Sequence, residues 1–104
     1  MAQFDVYVNP SESASLGIPF VVVVQSDLLD ALATRLSIPL ASIDFSEKSP
    51  EKLCPMVMVN GQSLRALAHY SAPLPTRSLR ERVGNLAPQA SVLNAAMDVV
   101  VSGV

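Results

Sequence analysis

Tryptophan is absent from the 104 residues, and cysteine and histidine occur once each. One cysteine, Cys54, excludes an intramolecular disulfide and suits a reducing compartment. Its apolar setting, Leu53-Cys54-Pro55-Met56, reads as a buried, inert thiol. One His and one Cys leave no ligand spacing for a metal, and no cofactor is implied. His69 has no G-x-S-x-G elbow to serve, so a satisfied or exposed histidine is the plainer reading than a catalytic base. Four glycines make no phosphate-cradling loop. Charge is also scarce, at 15% of residues against a usual share of roughly 25%. The net charge of −2 gives no electrostatic case for nucleic acid as the main partner, and no direct DNA binding is expected of the chain alone. The basic residues Arg77, Arg80 and Arg82 are the only cluster. The opening Met1-Ala2-Gln3-Phe4-Asp5 lacks the basic start of a signal peptide. No run approaches the roughly 18 apolar residues of a membrane span. The expectation is a cytoplasmic protein with no membrane partner and no enzymatic activity.

What is plentiful is apolar surface, since half of the residues are hydrophobic. A chain of this length makes one domain, residues 1–104, and buries only about two-thirds of its surface. Apolar side chains are left over, and a second copy of the chain is the simplest cover for them. A homodimer is expected.

Along the chain, residues 3–8 alternate with Phe4, Val6 and Val8 on one face, the period of a half-buried strand. Residues 9–17 are turn-forming in composition. Residues 20–24 are a continuous β-branched run, as in a strand buried on both faces. Residues 26–36 begin on a capping serine and repeat leucine at helical spacing, which alone reads as a three-turn helix. They then meet Pro39, which ends a helix and favours an edge strand. Residues 43–51 read as a polar loop. Asn60-Gly61 between two apolar runs is the preferred pair for a two-residue type I′ hairpin. Pro73 and Pro75 break the chain, and residues 77–86 fit either a short strand or a helical turn. A helix is expected over residues 88–101, with Val92, Leu93, Ala96, Met97, Val100 and Val101 as its apolar stripe. Gly103 ends it.

The block Val24-Gln25-Ser26-Asp27-Leu28-Leu29-Asp30, followed by Ile38-Pro39-Leu40-Ala41, resembles the signature V-Q-S-D-(I/L)-(I/L)-D…I-P-L-A of the CcdB toxin family. Gln3-Phe4-Asp5-Val6-Tyr7 resembles that family's first strand, residues 53–59 its central strand, and Gly103-Val104 its glycine–aliphatic end. The resemblance runs over nearly the whole chain. It implies a mainly β (α+β) fold: an SH3-like antiparallel sheet or barrel, a small accessory sheet and one C-terminal helix, in a homodimer. Under that fold residues 26–36 become a loop leading into a strand that ends near Ala41, because tertiary context overrides helix propensity.

The resemblance also implies a function: the toxin of a type II toxin–antitoxin pair. Such a toxin binds the A subunit of DNA gyrase, a topoisomerase, and is neutralised by a CcdA-like antitoxin that takes part in transcription regulation of the operon. Carried over position by position, the gyrase-binding residues are Leu28, Leu29, Asp98, Val101, Ser102, Gly103 and Val104. Read without the resemblance, Leu28 and Leu29 fit an ordinary core equally well. The chain departs from the family where it matters: Val101 and Ser102 stand where family members carry Phe and Trp. Losing a buried aromatic anchor of about 2–4 kcal/mol weakens binding roughly 30- to 1,000-fold. A gyrase with a different pocket, a different target, and a non-toxic homologue that keeps antitoxin binding all remain open. A MazF-like ribonuclease is a minor alternative, disfavoured because residues 9–17 hold no Lys, Arg or His. The purified protein is expected to show no RNase, DNase or protease activity. Sustained RNA cleavage that disappears on changing His69 or an arginine overturns this reading.

Overall fold

The computed structural model describes residues 1–44 and 52–103. Among the described residues seven strands precede one α-helix: β1 Asp5–Val8, β2 Phe20–Val23, β3 Thr34–Ser42, β4 Met56–Val59, β5 Gln62–Ala66, β6 Ala72–Pro75, β7 Arg82–Asn85 and α1 Ala90–Ser102. All pairings are antiparallel, in the order β4-β5-β3-β2-β1-β7, with the short β6 attached to β3 alone. The fold is α+β, as expected. The sheet curls so far that its two ends approach one another. The Asn60 side-chain amide, at the tip of the β4–β5 hairpin, donates to the Val83 carbonyl of β7 at 2.8 Å.

The hairpin follows from Asn60-Gly61. Both residues take positive φ, 49° and 84°, and Val59 faces Gln62 across a two-residue loop. Such a turn needs the left-handed region twice, which Asn and Gly enter at least cost. On the outer edge of β4, the Gln89 side chain behaves like a fragment of strand. Its oxygen accepts from Met58 N and its Nε2 donates to Met58 O, both at 3.0 Å.

β3 is the central strand, which corrects the expectation that Pro39 marks an edge. The Leu36 carbonyl accepts from Val24 N, so residues 36, 38 and 40 turn their backbone groups toward β2. Pro39 turns the other way, and its carbonyl accepts from Leu67 N at 2.9 Å. On that side the partner changes from β6, paired to residues 34–37, to β5, paired to residues 40–42. The proline's missing N–H falls in the gap. Nor do Pro73 and Pro75 interrupt the chain. They face Leu36 and Thr34 in β6, an edge strand where their ring nitrogens point away from β3. Residues 77–86 hold both candidate structures, a 3-10 turn Thr76–Ser78 and strand β7. Residues 26–36 are a loop and strand, and β3 runs one residue past Ala41. Of the loop expected at 43–51, residues 45–51 lie outside the described residues.

Among the described residues the buried side chains form two larger clusters and a small third one of Ala41, Cys54 and Leu67. Val6, Val22, Ile38, Leu40 and Leu64 face the helix, whose Leu93 and Ala96 are fully buried against them. Tyr7, Val21, Val23 and Leu79 form a second cluster on the other face. β1 is thus buried on both sides rather than half-buried. The helix stripe is narrower than its sequence suggests. Leu93 and Ala96, with Ala90 and Met97, make the seat, while Val92, Val100 and Val101 are exposed.

The buried polar face of β1 is met by a specific cluster. Asp5, 3% exposed, accepts from Ala2 N (2.8 Å), Arg82 Nε (2.8 Å) and Asn85 Nδ2 (3.0 Å). Burial works to raise the carboxyl's pKa. The hydrogen bonds from Asn85, Ala2 and Arg82, with the arginine's charge, outweigh it and hold the pKa below the ordinary 3.8. A carboxyl with a lowered folded pKa stabilises the fold above its unfolded value, and that contribution is lost as pH falls through the folded value. Asp5→Ala is expected to cost roughly 1–3 kcal/mol at pH 7, because three donors lose their acceptor. In thermal unfolding across pH 2–7, Asp5→Asn should show a flatter acid limb than wild type. An unchanged limb contradicts the assignment.

Candidate functional site

Gln25-Ser26-Asp27 shapes the segment between β2 and β3. Ser26 caps a 3-10 turn, Asp27–Leu29, by accepting from Leu28 N at 3.2 Å. Asp27 Oδ1 accepts from Gln3 N at 2.7 Å, tying the turn to the chain's opening residues. Gln25 works in both directions. Its Oε1 accepts from Leu36 N at 2.9 Å, and its Nε2 donates to the carbonyls of Thr34 (3.1 Å) and Leu29 (3.5 Å). The Arg35 guanidinium, buried beneath the loop, donates to the carbonyls of Leu32, Thr34 (3.0 Å) and Asp30 (2.6 Å), and pairs with Asp30 Oδ1 at 2.9 Å. Polar groups hold this loop, and its apolar side chains point outward. Leu28 is 94% exposed, and Leu29 and Leu32 are about half exposed. The reading of Leu28 and Leu29 as ordinary core is therefore excluded.

The second group of candidate residues lies on the last turn of α1. The Ser102 hydroxyl donates back to the Asp98 carbonyl at 2.7 Å, a bond within the helix. Gly103 ends the helix at φ 75°, its N–H donating to Val99 O at 2.9 Å. Asp98 is exposed and Val101 is 82% exposed. Val104 lies outside the described residues. The helix is seated on the sheet core through Leu93 and Ala96, and it also lies close to the 3-10 turn Ala68–Tyr70. Leu32 was not singled out from the sequence. Its signal was its place four residues after Leu28, in a stretch where the buried cation comes from the following strand.

Cys54 is fully buried, with its Sγ 3.5 Å from His69 Nδ1, and the His69 ring lies against Tyr70. Among the described residues no group of three or more His, Cys, Asp or Glu side chains could hold a metal. No helix among them is long and apolar enough to cross a membrane. An open groove of about 200 Å³ lies beside the 3-10 turn Glu12–Leu16, and its walls include Asn9, Ile18, Val21, Pro39 and Leu74. They carry no Lys, Arg, His, Asp or Glu.

The site elements are thus a curled antiparallel sheet, a helix with an exposed apolar end and a hydrogen-bonded loop of outward leucines, in a small α+β domain. A model of the CcdB protein family matches residues 3–103. The chain belongs to the CcdB family, the toxins of toxin–antitoxin pairs.

Since Leu28 contacts little of its own chain, Leu28→Ala is expected to shift folding stability by no more than about 0.5 kcal/mol, the usual range for a surface change. Urea unfolding checks this. A loss of the size seen for core truncation, roughly 2–5 kcal/mol, would show that Leu28 is part of the core after all.

Proposed function

We propose that this protein is a toxin that acts by binding and not by catalysis. As a homodimer it engages the A subunit of DNA gyrase through Leu28, Leu29, Asp98, Val101, Ser102, Gly103 and Val104, and a CcdA-like antitoxin neutralises it. The observation that carries the reading is the exposure of Leu28 and Leu29 on a firmly bonded loop, in a chain of the CcdB family. Exposed aliphatic side chains on an ordered loop are what a protein partner with an apolar pocket would recognise. The dimer rests on the apolar surface one chain leaves uncovered: Met56 and Met58 on β4, and Val92 and Val100 on α1, are all exposed.

A second reading has one observation behind it. The Ser102 side chain is short and its hydroxyl is spent on Asp98 O, so the position presents no anchor of its own. A homologue that keeps antitoxin binding and operon regulation, without poisoning gyrase, would have such an end.

Binding to the gyrase A breakage–reunion domain of the same host separates the two. If the target has an aromatic slot, Ser102→Trp is expected to strengthen binding by about 1–3 kcal/mol. Removal of residues 102–104 should abolish binding with folding intact, since terminal residues contribute little to a core. A truncation that binds like wild type removes the helix end from the site, and no binding by any variant favours the second reading. Light scattering on the same samples should give twice the 11.0 kDa of one chain, and a monomer at micromolar concentration contradicts the dimer.

A further inference from the structure

Every side chain from residue 27 to residue 34 is exposed. Eight consecutive residues without a buried side chain have no hydrophobic reason to keep one conformation, and such segments ordinarily open with little cost. Here the segment meets an unusual floor. Arg35, whose side chain is 8% exposed, sits under it as a buried cation. Three of its acceptors are the backbone carbonyls of Asp30, Leu32 and Thr34, and the fourth is the Asp30 carboxylate, itself 64% exposed. All four lie within residues 30–34, the four residues that join the 3-10 turn to β3 and the first residue of the strand. A planar fork of fixed donors can hold several carbonyls in one arrangement, which a lysine ammonium cannot reproduce.

A buried arginine is a poor device for stability alone, because desolvation offsets much of what its contacts contribute and an apolar residue of similar volume often serves as well. What the fork does provide is a single shape for a loop that would otherwise sample many. We propose that Arg35 is a positioning residue for target recognition: its guanidinium holds residues 30–34 so that Leu28 and Leu29 are presented in their docking conformation before the partner arrives. Gln25 assists from the other side through Leu29 O and Thr34 O. Order established in advance is not charged against binding. The proposal rests on the gyrase-binding reading of Leu28 and Leu29.

The test uses the full chain and the gyrase A breakage–reunion domain, with wild type, Leu28→Ala, Arg35→Met, Asp30→Ala and the Leu28→Ala/Arg35→Met double variant. Arg35→Met is expected to weaken binding about tenfold, the scale of ordering one or two side chains. The amides of residues 28–34 should then exchange faster with solvent, while those of β2 and β3 remain protected. The loss should shrink in the Leu28→Ala background, since an unpositioned loop without Leu28 has less left to lose. A merely structural role predicts the same loss in both backgrounds, and that result overturns the proposal. So does an Arg35→Met variant that binds like wild type. If Arg35→Met does not fold, Asp30→Ala decides, because the exposed carboxylate can go without opening the core: wild-type binding and wild-type loop exchange there overturn the proposal. Wild-type binding by Leu28→Ala, or no binding by wild type, overturns the target reading and the docking role with it.

Discussion

β3 is the constraint on which the other elements depend. Its nine residues pair with β2 along one edge and with β6 and then β5 along the other. The change of partner at Pro39 lets β3 pair with three strands, β2, β5 and β6, within one sheet of the described residues. One proline, harmless only at a point where no ladder bond is due, marks the place. β3 also begins directly after the loop, so Arg35, the second residue of the strand, is rigid by pairing and reaches back under the segment that precedes it.

The molecule inverts the usual distribution of polarity in two places. Arg35, Asp5, Ser37 and Asn9 are buried, while Leu28, Leu32 and Val101 are out in solvent. The buried polar groups are matched: Asp5 by Ala2, Arg82 and Asn85; Ser37 by the Arg35 carbonyl; Asn9 by Ser13 and Ile18. Matched groups of this kind specify a conformation more than they add stability. The exposed leucines have no such compensation among the described residues, a placement that fits the docking role proposed for them.

How much of this the sequence revealed depended on the range of the interaction responsible. The hairpin at Asn60-Gly61 was legible because the turn is decided by its own two residues. The family block was legible too, and with it the fate of residues 26–36, although their leucine spacing alone argued for a helix. Propensity lost there because Gln25 and Arg35 offer the backbone other partners, one before the segment and one after it. The centrality of β3 was hidden, since nothing local tells a strand that its partner changes at Pro39. The burial of Asp5 was hidden for the same reason: its partners Arg82 and Asn85 lie some eighty residues away. In the helix, periodicity marked an apolar stripe but not its width, which is set by how far the sheet curls beneath it.

The amide of Gln89, laid along Met58, bears on whether the sheet can be extended at its β4 edge. An open edge of sheet is a template on which an identical edge can be added without limit, and fibres grow that way. β4 is such an edge, with two exposed methionines beside it. Its Met58 N–H and C=O are already occupied by a side chain from its own molecule. At that position a second copy would find no free ladder groups, and the proposed dimer would have to form through side-chain faces, where shape sets the number of partners.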